Sequence, residues 1–386
     1  MRKHRKKTTT LRVDRQAAAA LRRGHPWVYA DGVEGKACVG DVVSLVDRDG
    51  GLVGWGLWDE GGIAVRVLSG EQMEIGAYYR KLVQRAELFR NRIIPINTDT
   101  YRLINGAGDG LAGVIVDRYG GVAVIRVYSA AHDVNLDSLV SALTDLPWVT
   151  SVFRRFGVRR VDGKTGGETL SGPVVPEAFV VTEHSVKFLV RPRVGQKTGL
   201  FLDQRENRRR IGELSAGRRV INLFGYNGGF SLYAALGGAV RVETVDLAGP
   251  ALDDARENFR LNGIDTKPHA FIKADVFSWE ISGKAGLVVC DPPSLTRNKK
   301  SDDVAMRAYR DLNARVAPMV TKTGLLATAS CTARLSFEQW QSSVESGISR
   351  SGRWTWLEKA GAGPDHPYAV GHPDGEYLKF AIATKI

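Results

Sequence analysis

The sequence predicts an α/β protein in which a mostly parallel sheet domain fills the second half, preceded by a small β-rich unit and an α+β middle unit. Three observations predict it. From about Val186 onward, short apolar runs alternate with helical runs, the pattern of strands crossed over by helices on both faces of a sheet. Within that half an apolar run meets a glycine turn and then a helix, at Arg219 to Phe224, Gly225 to Gly229 and Phe230 to Leu236. Residues 8 to about 72 instead carry short apolar runs separated by Asp/Gly turns.

Taken in order, Gln16 to Arg23 reads as a short helix ended by Gly24. Gly40 to Val46, Leu52 to Leu57 and Ile63 to Leu68 read as strands. Tyr78, Leu82, Ala86, Phe89 and Ile93 recur every three or four residues, which marks an amphipathic helix leading into the middle unit. There Val114 to Val116, Val122 to Val127 and Val149 to Arg154 read as strands, with a helix near Leu136 to Leu143. Asp162 to Gly172, rich in Gly, Thr and Ser, reads as an exposed loop, and the unit ends near Glu183. Arg219 to Phe224, Arg241 to Val245, Ala270 to Ile272, Gly286 to Cys290 and Leu325 to Ser330 are the expected strands of the last unit, and Ala251 to Leu261 is one of its helices. The expected division is residues 1–74, 75–184 and 185–386.

At 386 residues, 43% of them hydrophobic, the chain has material for two or three ordinary cores. Its 54 Lys and Arg against 42 Asp and Glu leave a formal charge of +12, which favours a polyanionic partner over a merely soluble basic protein. Met1 to Lys7 (MRKHRKK) is a basic arm whose Lys3, Arg5 and Lys6 suit phosphates. Arg154-Arg155, Arg159-Arg160, Arg208 to Arg210 and Lys299-Lys300 add further basic clusters. No apolar run approaches the roughly 20 residues that span a bilayer, and no signal-peptide core follows the basic arm. The three cysteines, Cys38, Cys290 and Cys331, form neither a disulfide framework nor a metal cluster. A reducing cytoplasm and no membrane are the expected setting.

A strand, glycine turn and helix let backbone N–H groups approach a ligand at the carboxyl edge of a parallel sheet. Asp246 ends the next strand, twenty-one residues beyond Gly225, where a carboxylate accepts hydrogen bonds from ribose hydroxyls. A dinucleotide enzyme would share both features. The turn Gly225-Tyr226-Asn227-Gly228-Gly229 lacks the Gly-x-Gly-x-x-Gly spacing that seats a pyrophosphate, which favours a cofactor without phosphates. Asp291-Pro292-Pro293 follows the apolar run Gly286 to Cys290, where two prolines stop the strand and hold a bend that presents carbonyls and a carboxylate to a planar substrate.

These segments, with Gly195 to Arg208 (GQKTGLFLDQRENR), Ser330-Cys331, His366-Pro367 and Gly375 to Lys379 (GEYLK), resemble bacterial class I S-adenosylmethionine-dependent rRNA methyltransferases. The pattern is most similar to the 23S rRNA cytosine-C5 group. Gly24 to Tyr29 (GHPWVY) and Gly108 to Gly120 (GDGLAGVIVDRYG) extend the resemblance over nearly the whole chain. It implies a Rossmann-like methyltransferase domain, a PUA-like RNA-binding domain in place of a purely structural small barrel, and 23S rRNA, free or in a pre-ribosomal particle, as partner; a homodimer is compatible with it. It further implies S-adenosylmethionine held by Phe201, Gln204 and Arg205 at the methionine end. Phe224, Gly225, Tyr226, Asn227 and Gly228 would pass beneath it, with Asp246 on the ribose, Asp275 on the adenine amino group, and Asp291 beside both cofactor and base. Asp275 equally suits a helix N-cap. Lys197, Arg205 and Arg208 share one stretch, and spacing does not separate a cofactor role from phosphate binding.

Cytosine C5 is a poor nucleophile, and its methylation ordinarily requires transient addition of a thiolate at C6. Cys331 follows the apolar strand at the carboxyl edge, where position alone admits either a nucleophile or a buried structural cysteine. The resemblance implies the nucleophile. Cys290 precedes Asp291 within a strand, so if Asp291 faces the cleft, Cys290 faces the core. Cys38 is expected to be structural. Many other RNA cytosine-C5 enzymes carry a second cysteine three residues after the motif aspartate, and the most similar group has lysine there; this chain has Ser294. A serine in that place is also similar to amino-group methyltransferases, so a guanine or adenine amino-group RNA methyltransferase is the first alternative. A non-catalytic RNA-binding assembly factor that keeps the fold is the second, and a dinucleotide oxidoreductase the third.

Overall fold

The structure is a computed structural model that describes residues 8–156, 165–280, 283–295 and 302–386. The described residues cluster into two compact units. The first draws on Met1–Ser185, Val190–Leu202 and Pro364–Gly375; the second on Val186–Leu189, Asp203–Gly363 and Glu376–Ile386. No helix among the described residues is long and apolar enough to cross a membrane.

The first unit opens with β1 (Thr9–Val13) and α1 (Arg15–Arg22), whose first turn is capped by the Asp14 carboxylate accepting the Ala17 N–H at 2.7 Å. Then come β2 (Trp27–Tyr29), β3 (Val33–Glu34), β4 (Val42–Val46), β5 (Leu52–Trp58) and β6 (Ile63–Leu68). They form one sheet in the order β2-β6-β5-β4-β1-β3, closed over Leu11, Val28, Val43, Leu45 and Val65. The amphipathic helix α2 (Ile75–Ile93) follows and buries Tyr78, Tyr79, Leu82, Val83 and Ala86. A second sheet comprises β7 (Thr100–Asn105), β8 (Val114–Tyr119), β9 (Val122–Val127), β10 (Ser151–Arg155) and β11 (Gly167–Ser171) in the order β11-β10-β9-β8-β7. Helices α3 (Ala130–Val134) and α4 (Leu136–Thr144) lie between β9 and β10 in the chain.

One expectation is corrected. Asp162 to Gly172 was read as loop because of its composition, yet Gly167–Ser171 is strand β11, antiparallel to β10. Edge-strand pairing supplies backbone hydrogen bonds whatever the side chains, so composition misleads there. Residues 157–164, with Arg159 and Arg160, lie outside the described residues.

The polar core of this unit is centred on Arg90. It is fully buried and bidentate to Asp109 at 2.6 and 2.7 Å, while its Nε donates to the Arg102 carbonyl and its Nη2 to that of Asp365. One guanidinium therefore ties α2, β7 and the returning segment Pro364–Gly375 together. Arg102 in turn donates to Asp117, which also accepts from Thr198 at 2.5 Å.

After β12 (Phe179–Glu183) and β13 (Val186–Val190), the second unit supplies α5 (Arg205–Glu213), β14 (Arg219–Leu223), α6 (Gly229–Leu236), β15 (Arg241–Asp246), α7 (Gly249–Leu261), β16 (Ala270–Lys273), β17 (Ala285–Cys290), α8 (Asp302–Val316), β18 (Val320–Ser330), α9 (Phe337–Ile348), β19 (Trp354–Ala360) and β20 (Lys379–Lys385). The sheet order is β16-β15-β14-β17-β18-β20-β19, parallel through β18 and antiparallel at the last two strands. Strand residues alternate between two cores: Ile221, Leu223, Val288 and Cys290 pack with α8 and α9, whereas Val220, Leu287 and Val289 pack with α5 and α6. The chain order reverses between β14 and β17, where ligands bind in open parallel sheets.

Replacing Arg90 by Met should leave Asp109 buried without its partner and cost the first unit about 3–5 kcal/mol. Urea unfolding followed by circular dichroism tests this, and a loss under about 1 kcal/mol would show that the clamp is dispensable.

Candidate active site

The parallel register aligns the strand ends. Leu223 pairs with Val245 and with Cys290, Val245 with Ile272, and Cys290 with Thr328. Asp246, the last residue of β15, and the residues that follow the other strands, Phe224 to Gly228, Asp275, Asp291 and Cys331, therefore lie along one edge of the sheet.

The turn after β14 holds two non-glycine residues in the left-handed region, Phe224 at φ 57° and Tyr226 at φ 47°. Such conformers cost about 1–2 kcal/mol each and persist where the surroundings fix them. Here the Gly225 N–H donates to the Val245 carbonyl and the Tyr226 N–H to Asp246 Oδ2, at 2.9 and 2.8 Å. A Cβ on Gly225 would stand 2.5 Å from Thr244 Cγ2, and one on Gly228, at φ +77°, 2.8 Å from Ala255 Cβ. The turn is thus a cradle only glycine allows at these two points. Asn227 is buried, its carbonyl accepting from Asn258.

Asp246 is half-buried and also accepts the Ala248 N–H at 2.8 Å. Asp275 is exposed beyond β16 and accepts the Phe277 N–H at 3.0 Å; a turn follows it, where the sequence also suited a helix N-cap. Phe277 lies edge-on to Phe224 at 5.7 Å and is 51% exposed. Sequence reasoning missed Phe277, although an aromatic two residues after a strand-end aspartate was a readable signal. It also lines a cavity of about 410 Å³ with Leu295, Ala308, Asp311, Leu312 and Arg315.

Asp291 is half-buried, and its Oδ2 accepts from Gln204 Nε2 at 2.9 Å. Asn207 donates to Gln204 Oε1 at 2.6 Å and to the Gly361 carbonyl, so the Gln204 amide is oriented towards Asp291. Arg205 is fully buried beside Glu206. Arg208, expected among the phosphate contacts, is 4% exposed, ranged over the Phe188 ring and against Gly229. Burial takes it off the surface where phosphates bind. Arg209 and Arg210 pair with Glu206, Glu213 and Glu358, so that basic cluster is largely neutralised. Phe201 and Lys197 belong to the first unit, with the Lys197 ammonium 4.7 Å from the Phe201 ring. Lys3, Arg5, Lys6, Lys299 and Lys300 lie outside the described residues.

The three cysteines separate clearly. Cys290 is fully buried in the α8/α9 core, and that burial pushes its thiol well above the ordinary range. Cys38, expected to be structural, is exposed in the turn before β4. Cys331 is half-buried, directly after β18. Both its neighbours are fixed. Thr332 Oγ1 bonds the Tyr309 hydroxyl at 2.7 Å and faces Ser294 Oγ at 3.3 Å, its N–H donates to Ser330 Oγ, and its carbonyl accepts from Lys379 Nζ. Burial raises Tyr309 to about 12, so near neutral pH it remains a neutral phenol. Ser294 thereby links the loop after Asp291 to the loop carrying Cys331.

The model of the S-adenosylmethionine-dependent methyltransferase family matches residues 102–336, and that of a PUA-like domain matches residues 11–70. A ribosomal RNA large subunit methyltransferase of Deinococcus radiodurans is 38% identical, covering 96% of this chain and 95% of its own. Ribosomal RNA large subunit methyltransferase I of Escherichia coli K12 is 34% identical, covering 93% and 95%. Among solved structures, a candidate S-adenosylmethionine-dependent methyltransferase from Streptococcus mutans has the same fold at a TM-score of 0.84, with 24% identity over 98% of this chain and 100% of its own. A candidate methyltransferase complexed with SAH reaches 0.86 at 25% identity, with the same coverage. The expected fold class is therefore the observed one, a class I methyltransferase domain behind a PUA-like domain, and S-adenosylmethionine is the cofactor. The donor set suits it: a glycine cradle, strand-end carboxylates for hydroxyl and amino donors, and an aromatic pair for a purine face.

Phe277→Ala removes an exposed ring without opening the core. Loss of one aromatic contact, about 1.4 kcal/mol, corresponds to about tenfold weaker S-adenosylmethionine binding by calorimetry. Unchanged affinity would put the purine elsewhere.

Proposed function

The chain belongs to the S-adenosylmethionine-dependent large-subunit ribosomal RNA methyltransferases, and on that premise we propose that it methylates C5 of a cytosine in 23S rRNA through a covalent adduct with Cys331. The observation that carries this reading is the half-buried Cys331 just past the end of β18, on a loop braced through Thr332 and Ser294 to the loop of Asp291. We assign the cradle Phe224 to Gly228, Asp246 and Asp275 to the cofactor, with Phe277 as an added purine contact. Gln204 acts through Asp291, while Phe201 and Arg205 remain assigned to the methionine end. The cytoplasm is the compartment this reading implies. The three-part division at residues 74 and 184 is proposed as RNA-binding arm and PUA-like domain, middle domain, and catalytic domain.

When bound, S-adenosylmethionine supplies an electrophilic methyl group. The work of the chain is to make cytosine C5 nucleophilic. Cys331 Sγ adds to C6, the C5–C6 π pair moves towards C5 and N3, and Asp291 stabilises the N3/N4 edge by a hydrogen bond or proton. Once C5 carries the methyl group, its proton passes to solvent water, the C5–H pair reforms the C5–C6 double bond, and the S–C6 bond breaks with its electron pair returning to sulfur as the thiolate. Gln204 holds one Asp291 oxygen, fixing the carboxylate's plane before the base arrives. The target base must leave its stack, which costs a few kcal/mol unless it is already unpaired. Binding energy from the basic arm and the PUA-like domain would offset that cost.

An amino-group transfer would need Asp291 and its loop but no thiol. Cys331→Ala is therefore decisive: turnover on 23S RNA should fall by at least about a thousandfold, with S-adenosylmethionine binding intact. Retained turnover would favour the amino-group reading. Mass-spectrometric mapping of rRNA from a deletion strain should reveal one missing 5-methylcytidine, restored by wild type but not by Cys331→Ala.

A further inference from the structure

The strand that returns beside β18 brings a buried lysine against the loop of Cys331. Lys379 opens β20 and pairs across the ladder with Ser330, the residue before Cys331. Its Nζ donates to the carbonyl of Thr332, the residue after Cys331, at 3.0 Å, and to that of Tyr377 at 3.2 Å. The residue is 2% exposed. An ammonium has three donors, and the third N–H of Lys379 has no hydrogen-bond acceptor among the described residues. Two carbonyls orient a cation without neutralising it, Glu376 acts on it only through its charge, and burial makes that charge costly unless an anion shares the site.

We propose that Lys379 is the positioning residue whose charge holds Cys331 as a thiolate before the base binds. This rests on the reading of Cys331 as nucleophile. In the step assigned to Lys379 the Cys331 S–H bond breaks, its proton passes to solvent water, and the electron pair stays on sulfur. The ammonium keeps its own three protons throughout.

Charges on the neighbouring elements decide whether this works. Glu376, on the approach to β20, and the Cys331 thiol itself both favour the charged lysine, while burial opposes it and holds its pKa below the ordinary lysine range. Asp291, after β17, works against a second anion in the cleft, and Gln204 already donates to one of its oxygens. Tyr309, on α8, is neutral near pH 7 because burial and the negative charges of Cys331 and Asp291 push its pKa up. Arg334, three residues on in the same loop, is paired with Asp302 at 3.1 Å, whereas the hydrogen bonds of Lys379 go to backbone carbonyls, and a simple carbonyl cap is the competing account of it.

The test is alkylation of Cys331 by iodoacetamide as a function of pH, quantified on the Cys331 peptide by mass spectrometry, in the full-length protein without RNA. Wild type should show a midpoint below about 8.5, the value of an ordinary thiol. Lys379→Met should move the midpoint up by about one unit or more, because a nearby positive charge favours the anion. Lys379→Arg should largely restore it. A carbonyl cap alone would lower the melting temperature without moving the midpoint, and an unshifted midpoint in a folded Lys379→Met overturns the proposal. Should Lys379→Met fail to fold, a wild-type midpoint at or above about 8.5 overturns it equally. Failure of the nucleophile reading is separately visible as turnover retained by Cys331→Ala.

Discussion

The hydrogen-bonded register of the parallel strands is the constraint on which the rest of the second unit depends. Because β14 and β17 end level and β15, β16 and β18 run on by only one or two residues, chemistry-bearing residues far apart in sequence reach a single edge without any loop having to span the sheet. Side chains inside the ladder are committed alternately to two cores. The residues proposed for the site therefore lie on the last rung of the ladder, at Asp246, or just past it, at Phe224, Asp275, Asp291 and Cys331.

Cys290 and Cys331 illustrate this commitment. Cys290 is the last residue of β17, fully buried with α8, and its thiol is held protonated by its surroundings. Cys331 is the first residue beyond β18 and is half-buried. The same functional group differs in accessibility because one lies within a strand and the other just past one. The two prolines after Asp291 serve the same end, since they end β17 at Cys290 and turn the carboxylate out of the ladder.

Much of this was legible in the sequence. Apolar runs of four to six residues, a glycine turn with the wrong spacing for pyrophosphate, and Asp-Pro-Pro are local signals, and local signals survive without coordinates. What escaped the sequence was non-local or depended on burial. Arg208 read as a phosphate contact because it sits in an Arg-rich run, but the helical turn directs it against Phe188 and Gly229. Gln204 read as a cofactor contact, and its bond to Asp291 spans 87 residues. Strand β11 escaped because pairing by an edge strand asks little of its side chains. Lys379 lay in a recognised motif, yet its position beside Ser330 follows only from an antiparallel return that sequence periodicity does not encode.

The glycine cradle shows how the fold sustains strain at the edge. Two left-handed non-glycine residues would unravel an isolated turn, since together they cost about 2–4 kcal/mol. Each is held by a backbone donor reaching the adjacent strand β15, at Val245 and Asp246. Asp246 thus serves the turn before it serves any ligand, accepting from Tyr226 with one oxygen and Ala248 with the other. A carboxylate oxygen can accept more than one hydrogen bond, so the remaining lone pairs stay available to ribose hydroxyls. The cradle is consequently built in advance, and ligand binding need not supply the energy to form it.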